Sequence, residues 1–166
     1  MNALFIGRFQ PFHMGHLLVI QQLSKYYDMV IIGIGSSEDR NTKENPFSEQ
    51  ERTDMITKSL DEKKIKNYRI VSIPDIHDPP HWVAHVCSLV TDFDVVITNN
   101  PFTKQLFTEK GYLVKTIRRF KPTLYSGTEI RRRILTNKSW ETLVPEPVKH
   151  IIKDVQGVTR IQKISS

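Results

Sequence analysis

Residues 3–23 read ALFIGRFQPFHMGHLLVIQQL, and the fold follows from how this run is parsed. Ala3 to Ile6 is apolar and stops at Gly7. The chain then passes through Arg8-Phe9-Gln10-Pro11-Phe12 and reopens at His13-Met14-Gly15-His16, with apolar residues at Leu17, Leu18, Ile20 and Leu23. A short apolar run, a turn and a helical apolar spacing predict a buried strand, a tight connection and an amphipathic helix.

The chemistry of this run sits in the turn. Gly7 ends the strand where a side chain would block a ligand, and Gly15 lets backbone come close to phosphate. The free N–H groups of a first helical turn favour anionic oxygens. His13 and His16 are three apart, so two imidazoles in that turn project to one side. With Arg8 they converge on one small volume at the sheet's C-terminal edge. Such a trio suits a polyphosphate whose oxygens gain charge during phosphoryl or nucleotidyl transfer. Each histidine alone is equally well explained as a cap or a solvated residue; the joint pattern carries the reading.

Outward from this run, strands alternate with helices. Met29 to Ile34 (MVIIGI) has the near-continuous apolar character of a parallel strand covered on both faces, and Gly35-Ser36-Ser37 ends it. Glu38 to Asn45 has turn composition and reads as a surface loop near the ligand. Ser48-Glu49-Gln50-Glu51 is a capping box that opens a helix with Met55, Ile56 and Leu60 inward. Tyr68 to Ile73 is a third strand ended by Pro74, and Pro79-Pro80 starts a helix carrying Trp82, Val83, Val86, Leu89 and Val90. Phe93 to Thr98 is the fourth strand. Asn99-Asn100-Pro101 opens a short helix with Leu106 and Phe107, Gly111 caps it, and Tyr112 to Ile117 is the fifth strand. This alternation predicts an α/β fold, a Rossmann-like doubly wound parallel sheet with a ligand crevice beyond the strand C-termini. Periodicity does not give the strand order. From Trp140 on, Val148, Ile151, Ile152 and Val155 stand at helical spacing. Residues 140–166 therefore read as a helical extension of a single domain spanning 1–166, packed on the core or on a neighbouring subunit.

A second constellation is Tyr125-Ser126-Gly127-Thr128-Glu129-Ile130-Arg131. A plain capped helix explains Ser126, Gly127 and Glu129. It leaves Arg131 unexplained, because a cation in a first turn opposes the helix dipole unless an anion neutralises both. The N–H groups of Ser126 to Thr128 together with Arg131 make a site for terminal phosphates. Arg132 and Arg133 point elsewhere, being about 100° apart per residue, and are assigned to solvent or an interface.

Composition narrows the classes. A 166-residue chain with 39% hydrophobic and 25% charged residues suits one globular domain. A chain of that length buries about 70% of its unfolded surface. Apolar stretches fall short of the ~20 residues of a membrane span and no basic leader precedes the first strand, so a cytoplasmic protein without membrane partners is expected. The single Cys87 fits a reducing compartment and a buried inert thiol. The net charge of +6 suits nucleic acid or small polyanions equally, but basic residues are scattered apart from Arg131-Arg132-Arg133, so no nucleic-acid partner is expected. His81 and His85 have a metal-ligand spacing, with His77 four earlier. Pro79-Pro80 breaks that array and no glutamate accompanies it, so no metal site is expected there.

GRFQPFHMGH resembles the (H/T)xGH signature of the nucleotidyltransferase superfamily, carried as His13-Met14-Gly15-His16, and YSGTEIR resembles its SxTxxR pattern. The wording GRFQPFH is similar to the archaeal type of nicotinamide-nucleotide adenylyltransferase. That resemblance, over nearly the whole chain, implies strand order 3-2-1-4-5 and adenylyl transfer from ATP to nicotinamide mononucleotide (NMN), giving NAD and pyrophosphate. It implies Mg²⁺ carried by ATP and a homo-oligomer such as a hexamer. His13 and His16 would then contact the α and β phosphates, and Arg8 and Arg131 the leaving pyrophosphate. Gly7, Phe9, Gly15, Asn100, Ser126, Gly127 and Thr128 complete the ATP side, and Phe9, Gln10, Asp75, Ile76 and Trp82 the NMN side. Trp82 either stacks on nicotinamide or fills the core. Three departures from the family pattern stand out: Pro79 where several members have Asn, Asn99 where a Gly is common, and Glu44 where some carry Arg. These move carboxamide recognition to the backbone of residues 75–78 and a loop cation to Lys43 or Arg40. The alternatives are a transferase using phosphopantetheine, FMN or a polyol phosphate, and a nucleotide sensor or basic nucleic-acid-binding protein.

Overall fold

A computed structural model describes residues 1–165. The strand Asn2–Gly7 (β1) runs up the middle of a five-stranded parallel sheet, between Met29–Gly35 (β2) and Val95–Ile97 (β4), with Tyr68–Ile73 (β3) and Val114–Lys115 (β5) at the edges. The order 3-2-1-4-5 makes the end of β1 the point where connections turn to opposite sides, the place where such sheets leave a crevice.

The strands are apolar on both faces because helices cover both. On one side lie Met14–Tyr26 (α1), Glu49–Glu62 (α2), Gly127–Leu135 (α5), Glu146–Asp154 (α6) and Gly157–Ile164 (α7). They pack on Ala3, Val30, Ile32, Ile34 and Val95. On the other, Pro79–Leu89 (α3) and Pro101–Glu109 (α4) press Val83, Val86 and Phe107 onto Leu4, Ile31 and Val96. Alternate residues of each strand thus feed alternate cores.

Local signals place the helix starts. Ser48 Oγ accepts from the Glu51 N–H (3.2 Å) while the Glu51 carboxylate accepts from the Ser48 N–H (3.1 Å). Asn100 Oδ1 accepts from the Thr103 N–H (3.0 Å), with Pro101 as the first helical residue. The C-terminal helices extend the core: Val148 and Ile152 are fully buried, α6 lies against α2, and α7 against α5.

Several expectations need correction. The fourth and fifth strands, Val95–Ile97 and Val114–Lys115, are shorter than 93–98 and 112–117, and side chains add to the backbone pairing just beyond them. Asp94 accepts from the Asn2 N–H (2.6 Å), and the Asn99 amide clamps both the N–H (3.1 Å) and the C=O (2.6 Å) of Ile117. Leu89 faces outward, since the cap residue Val90 fills the inner position. Cys87 is only partly buried and donates its S–H to the Tyr112 hydroxyl (3.0 Å). Arg132 and Arg133 both pair with Glu129 (2.8 and 2.9 Å), so the second half of the expected capping box at Ser126 is replaced by ion pairs that pull Glu129 to about 2. No helix among the described residues is long and apolar enough to cross a membrane.

Candidate active site

The β1–α1 turn closes on itself through its two histidines. His13 is the N-cap of α1 and lies outside the first turn, a correction to its expected helical placement. Its Nδ1 accepts from the His16 N–H (3.3 Å), and His16 Nδ1 accepts from the His13 N–H (3.2 Å), a capping box made of two imidazoles. The rings stack with centroids 3.5 Å apart. Because each Nδ1 is an acceptor, the proton of each neutral ring sits on Nε2, leaving that edge as a donor. Neutrality follows from burial: desolvation holds His13 down at about 3, and burial plus the neighbouring His13 hold His16 well below its ordinary value.

Phe9 and Phe12 buttress this pair. The Phe9 ring lies edge-on to His16 (4.7 Å) and Phe12 stacks on it (5.5 Å). Gly7 is required by Phe9, since a Cβ there would meet the Phe9 ring at 2.9 Å, and it lines both clefts described next. A Cβ on Gly15 would crowd the His13 ring and Tyr125 at 3.0 and 3.1 Å.

Two clefts open at the strand ends and share Ile6, Gly7, Thr98 and Asn100. The smaller, ≈ 330 Å³, holds His13, Gly15, His16, Ser126 and Gly127. The larger, ≈ 610 Å³, holds Arg8, Asp75, Asp78 and Trp82. Trp82 meets Phe107 edge-on (5.6 Å) while lining the larger cleft, so it serves packing and cleft together. Arg8 lines the larger cleft beside the shared Gly7, while the histidines line the smaller one.

Arg131 is the fifth residue of α5, one turn deeper than expected. Its Nη1 donates to the Gln10 carbonyl (2.6 Å) across a Gly127 whose Cβ would meet that nitrogen at 2.7 Å. Burial and the nearby Arg8 lower its pKa, while Glu44 opposes that shift, so the two arginines face one region that Glu44 also approaches.

Other expected residues are elsewhere. The Gln10 side chain is buried and spent on Phe47, donating to its C=O and accepting from its N–H (both 2.9 Å). Phe9 is buried beneath the turn. Ile76 and Thr128 line neither cleft, because the residue 75–78 loop turns Asp75, His77 and Asp78 inward and Ser126-Gly127 hold the α5 entrance. His81 and His85 do not converge: His81 Nδ1 meets Asp78 (2.7 Å) and His85 Nε2 meets the Pro74 carbonyl (2.8 Å). Sequence reasoning singled out Asn99 only as a departure from a family pattern and missed Thr98, Ile117, Arg119 and Phe120 in the smaller cleft. Only Arg119 carries a local signal, an arginine amid the basic run Arg118-Arg119.

The chain has relatives among known proteins. The model of the cytidylyltransferase-like family matches residues 4–133. The nicotinamide-nucleotide adenylyltransferase of Archaeoglobus fulgidus is 45% identical over 170 residues, covering 99% of this chain and 98% of the relative. That of Thermoplasma volcanium is 42% identical over 165 residues, covering 99% and 93%. Among solved structures, a bifunctional NMN adenylyltransferase/ADP ribose pyrophosphatase from Francisella tularensis, complexed with AMP and Mn ion, superposes with a TM-score of 0.79 at 23% identity. The match covers 98% of this chain and 52% of that one, so this chain spans about half its length.

Proposed function

This chain belongs to the cytidylyltransferase-like family and, within it, to the nicotinamide-nucleotide adenylyltransferases; we propose that its two joined clefts carry out adenylyl transfer from ATP to NMN, the step that forms NAD. ATP occupies the cleft of the paired histidines, and NMN the cleft of Trp82 and Asp75. The NMN phosphate oxygen attacks the α-phosphorus at the shared Ile6-Gly7 ridge. The new P–O bond forms as the bond to the β-phosphate breaks, and pyrophosphate leaves with the electron pair.

The protein's share is positioning and charge stabilisation. The His13 and His16 Nε2–H groups donate to the α and β phosphates without titrating, and Arg8 and Arg131 offset the charge that develops on pyrophosphate. Asn100, Ser126 and Gly127 line the ATP cleft, and Trp82 offers nicotinamide a flat face. A divalent ion, Mg²⁺ in this reading, arrives with ATP. The acids nearest the clefts, Asp75 and Asp78, are engaged with the His77 N–H and His81, and no group of three or more ligand-type side chains stands together among the described residues. We take the chain to work in the cytoplasm as a homo-oligomer, such as a hexamer.

The observation that carries the reading is the reciprocal histidine cap, which holds two neutral imidazoles in the wall of a small cleft that joins a larger one. The test is NAD formation from NMN, ATP and Mg²⁺. NAD from wild type supports the assignment, adenylylation of a different phosphate acceptor transfers it to another member of the scaffold, and no pyrophosphate release with any acceptor overturns it.

A further inference from the structure

Beneath the two clefts lies a guanidinium that the reaction as described does not use. Arg52 of α2 is fully buried, and no carboxylate among the described residues ion-pairs with it. Glu49, Asp39, Glu38 and Glu51 favour its charge from beyond contact, but burying a cation with no carboxylate in contact is costly unless dipoles replace water around it. Here six backbone carbonyls do so. Nη1 donates to the carbonyls of Arg8 (3.0 Å) and Gly35 (3.1 Å). Nη2 reaches those of Ser36, Ser37 and Asp39 (3.2, 3.1 and 3.3 Å), and Nε that of Ser48 (3.2 Å).

The two carbonyls held on Nη1 have a common place in the fold. Arg8 follows the last residue of β1 and Gly35 is the last of β2, and each precedes a non-glycine residue in the left-handed region, Phe9 at φ 53 and Ser36 at φ 44. Such conformations persist where the surroundings over-determine them. Arg8 and Ser36 both line the larger cleft, and Phe9 supports His16. One nitrogen therefore ties together the two turns from which the acceptor wall and the Arg8 side chain spring.

We propose that Arg52 is a positioning residue for the transfer: by holding the Arg8 and Gly35 carbonyls on a single nitrogen it fixes the Arg8 guanidinium and the Ser36 wall in the arrangement the reaction uses. The proposal rests on the adenylyl-transfer reading. Only arginine suits the place, because its five N–H donors fan out in a plane and serve both turns and the start of α2 at once. Lysine supplies the charge with three donors from one point and cannot span them.

The experiment is a double-mutant cycle read by steady-state NAD formation: wild type, Arg52→Lys, Arg8→Lys and the double variant, with Arg52→Gln as a second probe and thermal melts for all. Arg52→Lys is expected to lower kcat about 10-fold or more, with KM for ATP and for NMN each within about threefold, since sub-ångström misplacement of a reacting group costs turnover. In the Arg8→Lys background the same change should cost less than about twofold, because the group it positions is already altered. Equal losses in both backgrounds overturn the proposal, as does a loss below about twofold in Arg52→Lys alone. If neither Arg52 variant melts cooperatively, the guanidinium builds the fold rather than the site, and the proposal fails. Wild type that makes no NAD overturns the reaction and this proposal together; wild type that makes NAD with an additive cycle overturns the proposal alone.

Discussion

The two clefts meet at Ile6, Gly7, Thr98 and Asn100, yet they draw on helix starts and strand ends in different proportions. The smaller is made by helix starts: His13 and Gly15 at α1, Asn100 at α4, Ser126 and Gly127 at α5. The larger takes its wall from strand ends and a loop, Arg8, Gly35, Ile73 and Asp75, with the first turns of α3 and α4 closing it. A helix start is a ring of unsatisfied N–H groups with a locally encoded cap, suited to phosphate whatever the rest of the ligand is. A wall of strand ends takes its shape from distant packing, which suits it to selecting the acceptor. Under the proposed adenylyl transfer, that division puts the reaction type in the small cleft and the choice of acceptor in the large one.

The largest effect should come from breaking the small cleft at its donors. His16→Ala removes one Nε2–H, the acceptor for the His13 N–H and the ring that His13 stacks on. The NAD-forming kcat is expected to fall at least ~100-fold, the usual cost of one oxyanion-type donor. A fall of less than about tenfold would mean that the histidines cap the helix and do little else.

Next in size is Gly127→Ala. The added Cβ meets Arg131 Nη1 at 2.7 Å and the Gln10 carbonyl at 3.0 Å, so the guanidinium must leave its seat. A loss in kcat of about 30-fold is expected, with NMN affinity kept, since only the pyrophosphate side is disturbed. Trp82→Ala should do the reverse. It removes the flat face of the larger cleft, raising KM for NMN about tenfold, near the worth of one aromatic stack with its buried area, while KM for ATP stays within about twofold. Should Trp82→Ala instead lower the melting temperature and leave both KM values unchanged, its contact with Phe107 is its whole role.

The same contrast governs what could be read from the sequence. Helix starts carry their partners within three residues, so Ser48, Asn100-Pro101, Ser126 and the histidine motif were all legible, as was the alternation that makes the sheet. Long-range polar pairs leave no such trace. Gln10 spends its amide on Phe47, 37 residues away, and Arg131 reaches the Gln10 carbonyl across 121 residues. Hence the sequence reading assigned Gln10 and Phe9 to the ligand, whereas both hold the turn from within. Asn99 was visible only as a departure from a family pattern. Its clamp on Ile117, beyond β5 and in the wall of the small cleft, depends on tertiary closeness that periodicity does not encode.

The smallest effect on turnover is expected from pH, and its smallness separates the histidine cap from an acid–base pair. With the free-enzyme His13 at about 3 and His16 well below its ordinary 6.5, both rings are neutral throughout the neutral range. The profile of kcat/KM, which reports free-enzyme groups, should therefore show no histidine limb between about pH 5.5 and 8. Stability tells the complementary story. Folded values below the unfolded one mean that the unfolded chain binds more protons in acid, so stability is full above 6.5 and falls as pH drops toward 3. The slope is up to about 1.4 kcal/mol per pH unit for each histidine. Denaturant melts at stepwise pH check this directly, and His13→Asn, which keeps a cap acceptor without a titrating ring, should flatten the acid slope. A kcat/KM limb near 6.5 with unchanged acid stability would instead show the two rings solvated and titrating.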